Sequence, residues 1–240
     1  HMIFKEGKIK IETILKELLP LEGEDRIIKI SKIFMNIPYK KNTLKGSFKI
    51  EEELTIDFEE VDCMTFIEYV EALRLSNNFE SFVENLKAVR YFDSIVDFQK
   101  RRHFFSDWDY IPTLKNITSE IGMSYCKTSL KKLNKINKHK RWIEGLPVSL
   151  KKINYIPRNN IKKIVDKLPS VCYCGFYSSK EGLDVEHVGI LINKEKPLTL
   201  RHASSIKGEV VDEPFIEYVM NKEGIILYKP ISDKWTEEKK

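Results

Sequence analysis

No apolar run in this chain reaches the ~18 residues that a membrane-spanning helix needs, and no secretory hydrophobic region opens it. A glycine-rich phosphate loop of the GxxxxGK(S/T) kind is missing, as are RNP-type aromatic runs and zinc-finger spacings, so nucleic-acid recognition has no motif to rest on. The four cysteines, Cys63, Cys126, Cys172 and Cys174, match no disulfide framework and no paired CxxC ribbon, and they fix no redox compartment. No internal repeat or low-complexity linker divides the chain.

What is present is the composition of a globular protein. Hydrophobic residues make up 42% and aromatic residues 11% of 240 positions, enough to bury a substantial core. The net charge of +5 comes largely from lysines crowded into 127–167. Such a face meets an anionic polymer in some proteins and is simply solvated in others. The opening His1-Met2 reads as an expression scar, so the expectation is that a native leader was removed ahead of it.

Apolar spacing predicts two short amphipathic helices within 8–35, interrupted at "LPLEGED", and an irregular stretch over 36–48, where Pro38 and Gly46 break any regular pattern. From Cys63 onward Phe66, Ile67, Val70 and Leu73 fall on one helical stripe, with Asp62 at the N-cap. Further helices are expected at 78–89 and near 158–167, and 91–126 shows no period. "SVCYCGFY", "EHVGILIN", "LTLRHAS" and "GIILYKP" read as strands of an antiparallel sheet, and the intervening "IKGEVVDEPFIEYVMNKE" as a connection. A helical front half and a strand-rich back half make one α+β domain over 1–240, with an N-terminal helical extension (1–35) and a lysine-rich insertion (about 127–155).

Cys63 at the first helical position feels the partial positive charge of unpaired backbone N–H groups, which favours the thiolate and offers donors for an oxyanion. A base is then needed. His187 and His202 lie near the ends of neighbouring strand candidates, where one can act as base and the other orient it. The same residue types also read as a buried small hydrophobe with two ordinary histidines, or as zinc ligands in a Cys63, His187, His202 set. Alternation puts Cys172 and Cys174 on one face of a strand and Tyr173 on the other, which fits buried side chains better than a second metal site.

Six blocks in order, "NIPYKKNTL", "VDCMTFIEYVEAL", "RRHFFSDW", "YIPRNNI", "GLDVEHVGILI" and "LRHASS", resemble the N-acetylmuramoyl-L-alanine amidase-like family (domain of unknown function 1460), a branch of the NlpC/P60 papain-like cysteine hydrolases. The likeness spans about 30–229. It implies a papain-like α+β fold, with the nucleophile on a helix N-terminus packed against a C-terminal antiparallel sheet. Cys63 matches the nucleophile, His187 the general base and His202 the residue that orients it. Tyr39 matches a position beside the nucleophile that helps bind substrate or the oxyanion, while Arg102, His103, Trp108, Ser204 and Ser205 fall in blocks that imply substrate contacts. Asn36 stands where the family carries glycine, a replacement that asparagine tolerates by reaching left-handed backbone conformations.

The resemblance implies a hydrolase acting on peptidoglycan or muropeptides in the cell envelope through a cysteine thioester, with no metal or other cofactor and no nucleic-acid partner. The bond would be the one between the muramoyl lactyl group and L-alanine. The alternatives are the γ-D-glutamyl-diamino acid bond cut by other NlpC/P60 enzymes, or a silent wall-binding module. Sequence does not speak to oligomeric state.

Overall fold

The computed structural model describes residues 1–7, 10–194 and 196–234. Its centre is an antiparallel sheet of eight strands, β3 (Leu114–Asn116), β4 (Lys127–Leu133), β5 (Ser149–Pro157), β6 (Val171–Tyr177), β7 (Val185–Ile192), β8 (Thr199–Ser204), β9 (Glu209–Pro214) and β10 (Gly224–Pro230). They run side by side in the order β4-β5-β10-β6-β7-β8-β9, and β3 adds to β10. A parallel pair, β1 (Met2–Lys5) and β2 (Leu54–Asp57), lies apart from it.

Both faces of the sheet are covered, which explains why every residue of β6 is buried, with no polar-out alternation. On one face Tyr173, Val188, Ile190, Ala203, Val210, Ile226 and Tyr228 join the core formed with α1 (Ile11–Leu18), α2 (Gly23–Ile33), α3 (Cys63–Arg74) and α4 (Phe79–Arg90). The other face sends Cys172, Cys174, Phe176, Leu191, Leu200, Ile225 and Leu227 into a second core. Short segments roof it, among them α5 (Thr118–Gly122), α6 (Phe215–Met220) and the turns at Arg158–Lys163 and Val165–Lys167. Cys172 and Cys174 are thus buried on the face opposite Tyr173, as alternation predicts.

The predicted mixed α+β character and mostly antiparallel sheet are present, and the helices at 11–18, 23–33, 63–74 and 79–90 match the periodic stretches. Three expectations need correction. The helix near 158–167 is two 3₁₀ turns, broken at Ile164 (φ −118°, ψ 0°) after the poor helix formers Asn159 and Asn160. The stretch 91–126 is only partly irregular: it contains four 3₁₀ turns, β3 and α5. The supposed connection after Ser205 carries β9 and α6. Within the lysine-rich region, β4 and β5 pair along their length from Lys127↔Tyr155 to Leu133↔Ser149.

Candidate active site

Asp62 and Thr65 begin the construction. The Asp62 Oδ1 accepts from the Thr65 backbone N–H at 2.8 Å, and the Thr65 Oγ1 accepts from the Asp62 N–H at 2.9 Å, so the helix starts at Cys63 with two of its orphan donors satisfied. Residues 65–74 of α3 are buried all round, which makes the helix a rigid post aimed at the sheet. Cys63 itself keeps part of its surface exposed, with its sulfur against the backbone N–H of Val188, the residue next to His187 on β7.

The two candidate histidines are hydrogen-bonded to each other: His187 Nε2 and His202 Nδ1 lie 2.7 Å apart, with ring planes nearly perpendicular. His202 Nε2 in turn lies 2.7 Å from Oε2 of Glu213 on β9. Gly189 allows this approach, since a Cβ there would come within 2.9 Å of the His202 Cβ and the Arg201 carbonyl oxygen. Tyr218 on α6 covers both rings, 5.0 Å from the His202 centroid and 6.2 Å from that of His187. Phe176 stacks on His187 at 6.2 Å and touches Tyr218 as well. Tyr218 also feels the charge of Cys63, after burial and the carboxylates of Glu213 and Glu186, and all of these push its phenol up.

Tyr39 arrives from a turn that needs a left-handed residue, and Asn36 supplies it with φ +64°. The Asn36 and Tyr39 N–H groups donate to Val210 and Gly208, which stitches the turn to the β8–β9 hairpin. Burial, and after it the neighbouring Cys63 and Asp62, push the Tyr39 phenol up. Ser204 is buried at the end of β8, its Oγ accepting from the Lys207 N–H, and Ser205 is exposed in the turn that follows.

The Cys63 sulfur meets β7 at the Val188 N–H, one residue from His187; Tyr218 lies against both histidine rings and in the field of Cys63, Tyr39 neighbours Cys63, and Ser204 and Ser205 are on the adjoining hairpin. Arg102, His103 and Trp108 are placed differently. The Arg102 guanidinium donates to the carbonyls of Ala88 and Tyr91 and lies over the Phe92 ring, clamping the end of α4. Trp108 is fully buried against Phe105, Tyr173 and Tyr228. His103 bonds the Phe98 carbonyl and lines a surface depression with Phe92, Tyr110 and Lys151. Glu213 and Tyr218 escaped the sequence reading, and the signal that could have found them is the "DEPFIEY" stretch closing the hairpin that carries His202.

Electrostatics revise the picture of an ionised sulfur. Desolvation pushes the Cys63 thiol up to about 12, with Asp62 adding to the shift, and the N–H groups of Val188, Met64 and Cys63 only partly oppose it. Burial likewise drives His187 down to about 3, helped by His202 and Lys222. The helix-end field is real and loses to the loss of water. At neutral pH the resting pair is therefore thiol and neutral imidazole. The difference in absorbance at 240 nm between the wild type and Cys63→Ala is expected to show no thiolate at pH 7, the signal rising only in strong alkali; a full thiolate band at pH 7 would contradict the neutral pair.

Among the described residues no group of three or more His, Cys, Asp and Glu side chains is disposed to hold a metal ion. Three of the four ring nitrogens, His187 Nε2 and both of His202, are engaged with each other and with Glu213.

A family model described as AmiA-like, N-acetylmuramoyl-L-alanine amidase-like, matches residues 29–225. No curated protein sequence matches the chain. Among solved structures, a Legionella pneumophila protein assigned to the DUF1460 family model superposes with a TM-score of 0.76 at 22% identity, covering 94% of this chain and 96% of that one. An N-acetylmuramoyl-L-alanine amidase from Bacteroides uniformis superposes at 0.70 with 23% identity, over 87% of this chain and 98% of that one. A Bacteroides fragilis protein described as a candidate xylanase gives 0.71 at 26% identity, over 83% of this chain and 98% of that one.

Proposed function

The chain belongs to the AmiA-like, N-acetylmuramoyl-L-alanine amidase-like family, and from that premise we propose that it hydrolyses an amide bond of peptidoglycan or muropeptides by cysteine chemistry on a papain-like scaffold of NlpC/P60 type. The observation that carries the reading is the arrangement of Cys63 at a helix N-terminus, beside the strand that holds His187, with His187 tied to His202. Glycoside hydrolysis needs a free acid and base pair of carboxylates, and the described carboxylates nearest these side chains are engaged. Asp62 is spent on capping, Glu213 on His202 and Glu186 on Lys222.

His187 Nε2 is committed to His202, which leaves Nδ1 as the nitrogen that takes the thiol proton while the sulfur adds to the carbonyl carbon. The tetrahedral oxyanion finds donors in backbone N–H groups at the start of α3. Collapse breaks the carbon–nitrogen bond, the imidazolium gives its proton to the departing amine, and a thioester remains. Water, deprotonated by His187, then releases the acid and restores the thiol. For the muramoyl bond the thioester would carry the lactyl group, and the peptide beginning with L-alanine would leave first.

Digestion of defined muropeptides with mass-spectrometric identification of the products tests the reading. Free muramoyl sugar and an intact peptide are the expected products. Cleavage beyond D-glutamate would transfer the site to endopeptidase chemistry, and no cleavage at all would leave a wall-binding module.

A pH profile tests the mechanism separately. Because burial holds His187 near 3, the base stays unprotonated as pH falls through the ordinary histidine range. The kcat/KM value is thus expected to stay flat from about pH 7 to about pH 5, where a base of ordinary pKa, about 6.5, would already lose most of its activity. An acid limb centred near 6.5 would contradict this electrostatic reading.

A further inference from the structure

Two neutral histidines joined by one hydrogen bond can share their protons in two ways. Either His187 Nε2–H donates to His202 Nδ1, leaving His187 Nδ1 as a lone pair, or His202 Nδ1–H donates to His187 Nε2, which puts the His187 proton on Nδ1. Only the first leaves a base for the thiol. Nothing within the pair itself selects it.

We propose that Glu213 makes the selection and is a positioning residue of this site, the outer end of a Cys63, His187, His202, Glu213 relay; the inference rests on the cysteine amidase reading above. A carboxylate accepts hydrogen bonds and donates none when ionised. With Oε2 of Glu213 2.7 Å from His202 Nε2, the proton of neutral His202 belongs on Nε2. His202 Nδ1 is then an acceptor, its 2.7 Å contact must be donated by His187 Nε2–H, and His187 Nδ1 is left unprotonated. Among the described residues Nδ1 of His187 has no protein hydrogen-bond partner that would compete for it.

The fold holds this carboxylate in place. On the β8–β9 ladder His202 pairs with Val211 and Leu200 with Glu213, so Glu213 sits diagonally from His202 and on the same face of the sheet. Its side chain is only 27% exposed. Pro214 ends the strand and α6 follows at once, which brings Tyr218 over both rings and limits the water that could compete for the bonds. The other charged groups acting on His202 are Lys222 and Asp212, and neither is hydrogen-bonded to its ring; Asp212 is held by Arg201. During turnover the same carboxylate faces the positive charge that spreads from His187 to His202, a second reason for acid at this position.

Ring tautomers can be read without substrate by long-range ¹H–¹⁵N NMR on histidine-labelled protein. In the wild type both His187 and His202 are expected as Nε2–H tautomers at neutral pH. In Glu213→Ala His187 is expected to populate the Nδ1–H form, and kcat to fall on the order of a hundredfold or more with KM within about threefold. Wild-type rings in the Nδ1–H form, or a Glu213→Ala protein that keeps both tautomers and its kcat, would overturn the proposal. Should the alanine variant fold poorly, Glu213→Gln keeps shape and an acceptor but loses the charge, and the titration of His202 should move to lower pH; an unmoved titration counts against the relay. If the tautomers behave as expected and the wild type cleaves no muropeptide, the amidase reading fails and the relay stands.

Discussion

Cys63→Ala is expected to reduce peptide release from muropeptides to background, a loss on the order of 10⁴-fold to 10⁶-fold in kcat if the sulfur forms the thioester. The change removes one atom from a half-buried side chain and leaves the Asp62–Thr65 cap untouched, so thermal stability should move by less than about 1 kcal/mol. Cys126 provides the control. It is the other half-buried thiol, bonded to the Thr118 carbonyl, and Cys126→Ala should leave turnover unchanged. Mass spectrometry of a stalled reaction adds a direct readout, since wild-type protein should gain the mass of the acyl group and Cys63→Ala should not. Turnover that survives Cys63→Ala in a folded protein removes the cysteine from the chemistry.

A raised thiol pKa is compatible with this role. The attack does not draw on a standing thiolate; the proton moves to His187 as the sulfur–carbon bond forms, and an enclosed site makes that transfer sensitive to where the imidazole proton sits. The sign for folding follows from the same shifts. The Cys63 thiol, raised above its ordinary value of 9.0, contributes stability that is present below pH 9 and lost as pH climbs toward about 12. His187, lowered from 6.5, contributes stability above pH 6.5 that is lost as pH falls toward about 3. A protein built this way trades stability at both extremes for a neutral, poised pair near pH 7.

How much of this is legible from sequence depends on whether the determining force is local. The Asp62 cap, the stripe through Phe66, Ile67, Val70 and Leu73, and the left-handed Asn36 are local matters of backbone geometry, and they read correctly. So do the two faces of β6, because both are covered and alternation sorts Cys172 and Cys174 from Tyr173. The strand β9 does not read as one, since its "EVVDEP" carries three acids and a proline. Those residues suit an edge strand, where one side of the backbone faces solvent. Missing β9 meant missing Glu213, and missing α6 meant missing Tyr218. The lysines of β4 hid a hairpin for the same reason: a charged outer strand looks like a solvated loop. The thiol pKa fails differently. A helix end is visible at Cys63, but the burial that overrides it exists only once the chain has packed.

The post that carries Cys63 depends on an ion pair buried two turns down the helix, and its loss should give the largest stability change in the molecule. Arg90, at the end of α4, is fully buried and donates from Nε to the buried Glu68 of α3 at 2.7 Å and from Nη1 to the Thr55 carbonyl of β2 at 2.6 Å. Its guanidinium also lies over the Tyr69 ring, 5.3 Å from the centroid. One side chain thus ties α4, α3 and β2 together behind the site. Arg90→Met keeps the apolar volume and strands Glu68 without its partner, a cost of about 3–5 kcal/mol and a fall in Tm on the order of 10 °C. Burial already raises the Glu68 carboxyl, with Arg90 holding it down; without Arg90 it should rise further. The deficit should therefore shrink as pH is lowered and Glu68 takes up a proton. Glu68→Gln in the Arg90→Met background, which removes the stranded charge, should recover much of the loss, and the cycle of four proteins measures the coupling by thermal unfolding. An Arg90→Met protein as stable as the wild type at pH 7 would mean that Glu68 finds another partner and that the helix bearing Cys63 is held by packing alone.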